Sequence, residues 1–83
     1  MRIIGQIQHS VLKITVFQLN MKYAVKLEAG LMEQTYKIRE SDRINGLAAV
    51  EELIDEAFTD ACLARFAVMN SDLGDAFKRL PSR

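Results

Sequence analysis

Two side chains that commonly carry chemistry, a thiol and an imidazole, occur once each among 83 residues, as Cys62 and His9. A structural zinc site needs about four Cys or His ligands, and a disulfide needs two cysteines. A histidine that acts as a general base needs a positioned partner, and the sequence supplies none. We therefore expect no metal, no cofactor and no catalytic residue, in a protein that is not an enzyme. Cys62 is expected to be a buried, inert thiol, and His9 an exposed turn residue.

A set of carboxylates forms the second cluster with chemical potential, namely Glu51, Glu52, Asp55 and Glu56. On one helix these residues make two like-charged pairs four positions apart, which destabilise the helix slightly. The simplest interpretation is a solvated acidic face near a helix N-terminus, where the helix dipole tolerates acids. The alternatives are an acidic docking face for a basic partner, such as the sheet of another copy, and loose binding of a divalent cation.

The third cluster mixes apolar and basic side chains on what should be the polar face of a sheet. Its members are Phe17, Leu19, Lys22, Lys26 and Leu31. Several apolar residues on one exposed face are typical of an interaction surface. Sheet-based RNA-binding proteins, however, also stack bases on aromatic rings and hold phosphates with lysines. This interaction face therefore predicts a protein contact, most simply self-association, with weak single-stranded nucleic-acid binding as the alternative.

The elements that position these clusters follow from the hydrophobic rhythm. Apolar residues alternate up to Ile38, as in strands, and recur every three or four positions from Leu47 onward, as in helices. The pattern predicts one two-layer α+β domain over residues 1-83, with the helices packed on one sheet face. We expect an antiparallel β-meander of three to four strands (about 2-8, 11-19, 22-28 and 31-39) followed by two or three C-terminal helices (about 46-57 and 59-80).

The turns set the expected strand register. A two-residue turn at Asn20-Met21 separates apolar and charged side chains of the flanking strands onto opposite faces. A turn at Ala29-Gly30 keeps the same faces and places Lys26 opposite Glu33.

An earlier turn, at His9-Ser10, would extend the sheet backwards to a fourth strand. In that register Ile3 and Ile7 lie on the core face and Ile4 lies outside.

Two apolar stripes describe the helical half of the chain. The first comprises Leu47, Val50, Ile54, Ala57 and Ala61, and the second comprises Cys62, Phe66, Met69, Leu73, Ala76 and Leu80. The phase slip between them predicts a break near 58-60, with Thr59 or Asp60 as the cap of the second helix. Asn70-Ser71-Asp72 and Gly74 weaken that helix, which leaves open a third helix from Ser71. Its C-terminal part could alternatively form a helix–helix dimer seam.

Composition favours an oligomer. Net charge is zero, but residues 1-39 carry six basic against two acidic residues (+4), and residues 40-83 carry five against nine (−4). A chain this short gains limited stability from its own core, and small domains without disulfides or metals often gain more by associating. With no apolar stretch for a signal peptide or a membrane span and one unpaired cysteine, we expect a cytoplasmic homodimer that binds another protein.

Overall fold

The computed structural model describes residues 1–81, so the last two residues of the predicted domain lie outside the described part. Four strands come first: β1 (Arg2–Ile7), β2 (Lys13–Leu19), β3 (Lys22–Ala29) and β4 (Met32–Arg39). Two helices follow, α1 (Leu47–Leu53) and α2 (Glu56–Lys78). The strands form one antiparallel sheet in the order β1-β2-β3-β4. The predicted α+β meander with C-terminal helices is confirmed.

The β2–β3 hairpin has the predicted register throughout. Lys13 lies opposite Glu28 and Leu19 lies opposite Lys22, across the turn at Asn20-Met21. Asn20 has φ 57°, and asparagine is one of the few residues with a side chain that adopts this left-handed conformation readily. The alternation of apolar and charged residues therefore identified the faces of this hairpin, and the turn at Asn20-Met21 identified its pairing.

The β3–β4 hairpin is shifted by two residues from its predicted register. Its turn is Gly30-Leu31 instead of Ala29-Gly30, so that Glu28, not Lys26, lies opposite Glu33. Gly30 has φ 62° and takes the first central position of the turn, where a positive φ favours glycine. A shift of two residues leaves each side chain on its predicted face, which is why alternation alone could not reveal the error.

The edge strand β1 contains a bulge, which places its first residues on the face opposite to the predicted one. Ile3 lies opposite Phe17 and Gly5 opposite Val16, which leaves Ile4 as the extra residue. Ile4 packs against the core, whereas Ile3 is 61% exposed on the other face. The predicted placement of both residues was therefore wrong, because one inserted residue exchanges the two faces of a strand.

The connection from β1 to β2 is longer than the predicted two-residue turn at His9-Ser10. Ile7 pairs with Ile14, and the residues between them form a loop. His9 Nδ1 accepts hydrogen bonds from the backbone N–H groups of Val11 and Leu12, each at 3.0 Å. The imidazole thus satisfies two backbone N–H groups of the loop, as the side chain of an N-cap residue does at the start of a helix.

The helical half breaks earlier than predicted, at Ile54-Asp55. Asp55 Oδ1 accepts a hydrogen bond from the Phe58 N–H at 2.9 Å, so Asp55 caps α2 and the predicted caps Thr59 and Asp60 lie inside the helix. From there α2 runs for 23 residues without interruption, and no third helix begins at Ser71.

The hydrophobic core lies between the inner face of the sheet and the two helices. Its buried members are Leu12, Ile14, Val16, Tyr23, Val25, Leu27, Val50, Ile54, Cys62 and Phe66. The apolar face of α2 continues beyond this core. Leu73, Phe77 and Leu80 extend the same stripe and are each more than half exposed. The sheet therefore covers only the first part of α2, in a molecule whose longest dimension is 54 Å.

A tyrosine hydroxyl joins the sheet to the loop before α1. Tyr23 Oη donates a hydrogen bond to Glu40 Oε2 at 2.7 Å and accepts one from the Gly46 N–H at 2.8 Å. The bond to the Glu40 carboxylate is the main reason that the pKa of Tyr23 is raised above its usual value. The fold therefore holds this buried hydroxyl in its protonated form.

Phe66→Asp tests the core directly. Phe66 is 4% exposed beneath the sheet. An unpaired carboxylate at this position should cost more than about 4 kcal/mol and leave the chain unfolded at 25 °C. Circular dichroism and urea titration should show lost structure, while Phe17→Asp, on the opposite sheet face, should unfold cooperatively as wild type does. An unfolded Phe17→Asp would contradict the assignment of the two faces.

Tyr23→Phe should lower the urea midpoint at pH 7, because the substitution leaves the Gly46 N–H without its acceptor. Since the folded pKa is raised, ionisation of Tyr23 above about pH 10 favours the unfolded state, and wild type loses this contribution as pH rises. The difference in midpoint between wild type and Tyr23→Phe should consequently narrow from pH 7 to pH 11. Tyr36→Phe is the matched control, since that hydroxyl donates to the neutral Gln34 amide. A difference that stays constant with pH would refute the role of the Glu40 bond.

Candidate interaction surface

The outer face of the sheet is not covered by either helix. On this face, Ile3 of β1, Phe17 of β2 and Ala24 of β3 are neighbours on adjacent strands. Leu19 lies two residues further along β2 and is 49% exposed. We call the group formed by Met1, Ile3, Phe17, Leu19 and Ala24 the outer patch. A sheet with helices on one face is expected to carry polar residues on the other, and the outer patch departs from this expectation.

Basic side chains surround the outer patch. Lys26 Nζ lies 5.8 Å from the centre of the Phe17 ring and 3.7 Å from Glu28 Oε1. The patch also contains a hollow of about 150 Å³, lined by Met1, Phe17, Leu19, Lys22, Tyr23, Ala24 and Lys37. A hollow of this size accommodates one apolar side chain, and the two lysines at its rim add positive charge.

The structure brings together four of the five residues of the predicted interaction face. Phe17, Leu19 and Lys22 line the hollow, and Lys26 lies against the Phe17 ring. Leu31 is fully exposed in the β3–β4 turn and does not line the hollow. The sequence did not indicate Ile3, because its place in the patch depends on the β1 bulge.

The predicted acidic docking face is divided by the helix break. Glu51 and Glu52 belong to α1, Asp55 caps α2, and Glu56 begins it, so the four carboxylates do not form two pairs on one helix. All four are exposed. Among residues 1–81, no three His, Cys, Asp or Glu side chains are arranged to hold a metal ion.

An open groove of about 520 Å³ lies where the β1–β2 loop meets the start of α2. Asp55, Glu56 and Asp60 give it an acidic wall, and Ile7, Ile54 and Leu63 contribute apolar surface. His9 lines the groove, but its Nδ1 atom is occupied by the two backbone N–H groups of its own loop. Within residues 1–81, the side-chain hydrogen bonds of His9 are made to its own loop and not to these carboxylates.

A polar cluster that the sequence did not reveal connects α2 to β4. Gln34 Nε2 donates to the Cys62 carbonyl at 2.9 Å, and Gln34 Oε1 accepts from Arg65 Nε at 3.1 Å. Arg65 Nη2 lies 3.4 Å from Cys62 Sγ, and this hydrogen bond is the main reason that the Arg65 pKa is raised. The guanidinium also lies about 6 Å from the Tyr36 and Phe58 rings, which pack edge to face. These contacts link α2 to β4.

Comparison with known proteins does not assign a family. The chain matches no protein-family model, and no curated protein or solved structure is significantly similar to it. Within residues 1–81, neither helix has the length and apolar character needed to span a membrane.

Cys62 should be unreactive in the folded protein, because its side chain is completely buried. With a disulfide reagent such as DTNB, we expect its reaction to be on the order of 100-fold slower in the native state than in urea. The double variant Cys62→Ser/Ser71→Cys moves the thiol to an exposed position on α2 and should react rapidly in both states. Rapid labelling of native wild type would show that α2 opens from the sheet.

Proposed function

We propose that this protein is a small homodimeric module that binds another protein through the outer patch. The observation that carries this proposal is the hollow of about 150 Å³ on a sheet face that neither helix covers. Apolar patches with polar rims on otherwise solvated surfaces commonly mark interaction sites. The proposed role is binding and not catalysis, and the unpaired cysteine favours the cytoplasm as its location.

The rim of the hollow suggests the chemistry of the partner. Lys22 and Lys37 flank the apolar wall formed by Phe17 and Leu19. A segment that inserts one apolar side chain and places carboxylates on either side would satisfy both features. Such an anchor in a desolvated pocket supplies much of the affinity of a small interface, while rim charges mainly affect association rate and specificity. The proposed partner is therefore an acidic segment with an exposed apolar residue.

Single-stranded nucleic acid is the second candidate, and the contact between Lys26 and the Phe17 ring favours it. A base could stack on this ring while lysines approach the phosphates. Sheet platforms of this kind use two or three stacked aromatics, however, and both tyrosines of this chain project from the inner face. Glu28 and Glu33 also reduce the positive field of the outer face. These features rank nucleic acid below a protein segment.

Selection from a random displayed-peptide library tests the proposal. We expect enriched peptides with one large apolar residue flanked by Asp or Glu. Phe17→Asp should weaken binding of these peptides at least about tenfold, and Lys22→Glu should increase their dissociation constant and reduce its salt dependence. Val68→Asp, an exposed site on α2, is the matched control and should bind like wild type.

Three results would contradict this proposal. The first is a library that yields no enriched sequence, and the second is a set of peptides that bind Phe17→Asp as tightly as wild type. The third is micromolar, salt-sensitive binding of fluorescent 12-nucleotide oligo(U) or oligo(dT) that is lost in a Lys22→Glu/Lys26→Glu variant, which would assign the outer face to nucleic acid.

A further inference from the structure

The free edge of β4 presents a complete row of backbone hydrogen-bonding groups. The N–H of Glu40 donates to the carbonyl of Met21, which places the even-numbered residues at this end of β4 in hydrogen-bonded pairs with the preceding hairpin. Bonded and non-bonded pairs alternate along antiparallel strands. The N–H and C=O groups of Glu33, Thr35 and Lys37 therefore point away from β3. Within residues 1–81, no other strand pairs with β4 on that side.

The two edges of the sheet differ in how they are protected against pairing. The β1 edge is interrupted by its bulge, which bends the strand and disturbs the ladder. The β4 edge is eight residues long, contains neither a bulge nor a proline, and alternates regularly between half-buried and exposed residues. Regular edges of this kind are templates for another strand.

Glu33 is also poorly compensated within its own chain. It lies directly opposite Glu28, and like charges in this position destabilise a sheet. Glu28 has a cation, since Lys26 Nζ lies 3.7 Å from its carboxylate. Among residues 1–81, no lysine or arginine forms an ion pair with Glu33, whose carboxylate accepts only the Thr35 hydroxyl at 3.3 Å. A cation supplied from beyond the edge would therefore remove an existing repulsion.

We propose that two copies of this chain associate by pairing their β4 strands antiparallel about a two-fold axis at Thr35. In this register Glu33 of each copy lies opposite the second copy's Lys37, which gives two opposite-charge pairs on the outer face. On the inner face, Met32 lies opposite the second copy's Ile38. The free N–H and C=O groups of Glu33, Thr35 and Lys37 then bond across the axis. The two four-stranded sheets become one sheet of eight strands.

This arrangement rests on the self-association included in the proposed function and specifies the surface that produces it. A two-fold axis perpendicular to the sheet leaves both outer patches on the same side of the eight-stranded sheet. Phe17 and Leu19 lie on β2, two strands away from the axis, and remain accessible. The dimer would thus present two binding sites to a protein partner, which raises the apparent affinity for a partner with two suitable segments.

Charge exchange across the axis tests the register. Sedimentation velocity over a concentration series would be measured for wild type, Glu33→Lys, Lys37→Glu and the double variant Glu33→Lys/Lys37→Glu. Each single variant creates two like-charged pairs and should raise the dimer dissociation constant by about tenfold or more. The double variant restores two opposite-charge pairs and should return to the wild-type dissociation constant.

A backbone variant tests the strand pairing itself. Thr35→Pro removes an N–H that points to the free edge and not to β3, so the monomer should keep its circular-dichroism spectrum while the dimer is lost. Thr35→Val keeps the N–H and is the matched control, which should remain dimeric.

The outcomes separate this inference from the proposed function. A wild-type protein that stays monomeric at all concentrations would overturn self-association, and the β4 pairing with it, but not peptide binding by the outer patch. A wild-type dimer that is indifferent to the single charge variants and to Thr35→Pro would overturn the β4 pairing alone. A dimer that dissociates only in Phe17→Asp would instead assign association to the outer patch.

Discussion

The packing of two helices against one face of the sheet is the constraint on which the rest of this structure depends. Val16, Val25 and Leu27 are fully buried beneath Val50 and Cys62, and the helical half is long enough to cover this face only. A two-layer domain with one helical cover necessarily leaves its other sheet face in water. The hydrophobic core thus determines which surfaces remain uncovered: the outer face, the sheet edges and the part of α2 that extends beyond the sheet.

At two points, polar contacts fix the position of the helices over the sheet, which apolar contacts alone would not determine. The Tyr23 hydroxyl joins β3 to the loop that precedes α1, through Glu40 and Gly46. The Gln34 amide and the Arg65 guanidinium join β4 to α2. Hydrophobic burial is largely non-directional, so such bonds are what select one orientation of the helices over the sheet. The buried side-chain N and O atoms of the described residues are all hydrogen-bonded.

The remaining surfaces differ in what would satisfy them. The outer patch offers an apolar hollow with lysines at its rim, which suits a side chain. The β4 edge offers backbone groups and Glu33, which forms no ion pair within residues 1–81, and both suit a strand. The C-terminal part of α2 carries Phe77, which is 64% exposed. This residue continues the apolar stripe whose earlier member Phe66 is buried beneath the sheet. A strand at the edge and a side chain in the hollow do not compete, so one molecule can satisfy both at once.

Alternation and helical periodicity determined the fold class and the inner faces of the strands β2 to β4, and the turn residues Asn20-Met21 determined the β2–β3 register. Each of these features depends on residues that are close in the sequence. The same patterns could not place the turn at Gly30, since a two-residue shift keeps every face, nor the bulge that turns Ile3 outward. They placed Glu51, Glu52, Asp55 and Glu56 on one helix, whereas in the structure Asp55 is the N-cap of a second helix. The outer patch was therefore largely predictable from β2 and β3. The opposition of Glu28 and Glu33, and with it the charge of the β4 edge, was decided only by the tertiary structure, because two registers that differ by two residues have the same faces in the sequence pattern.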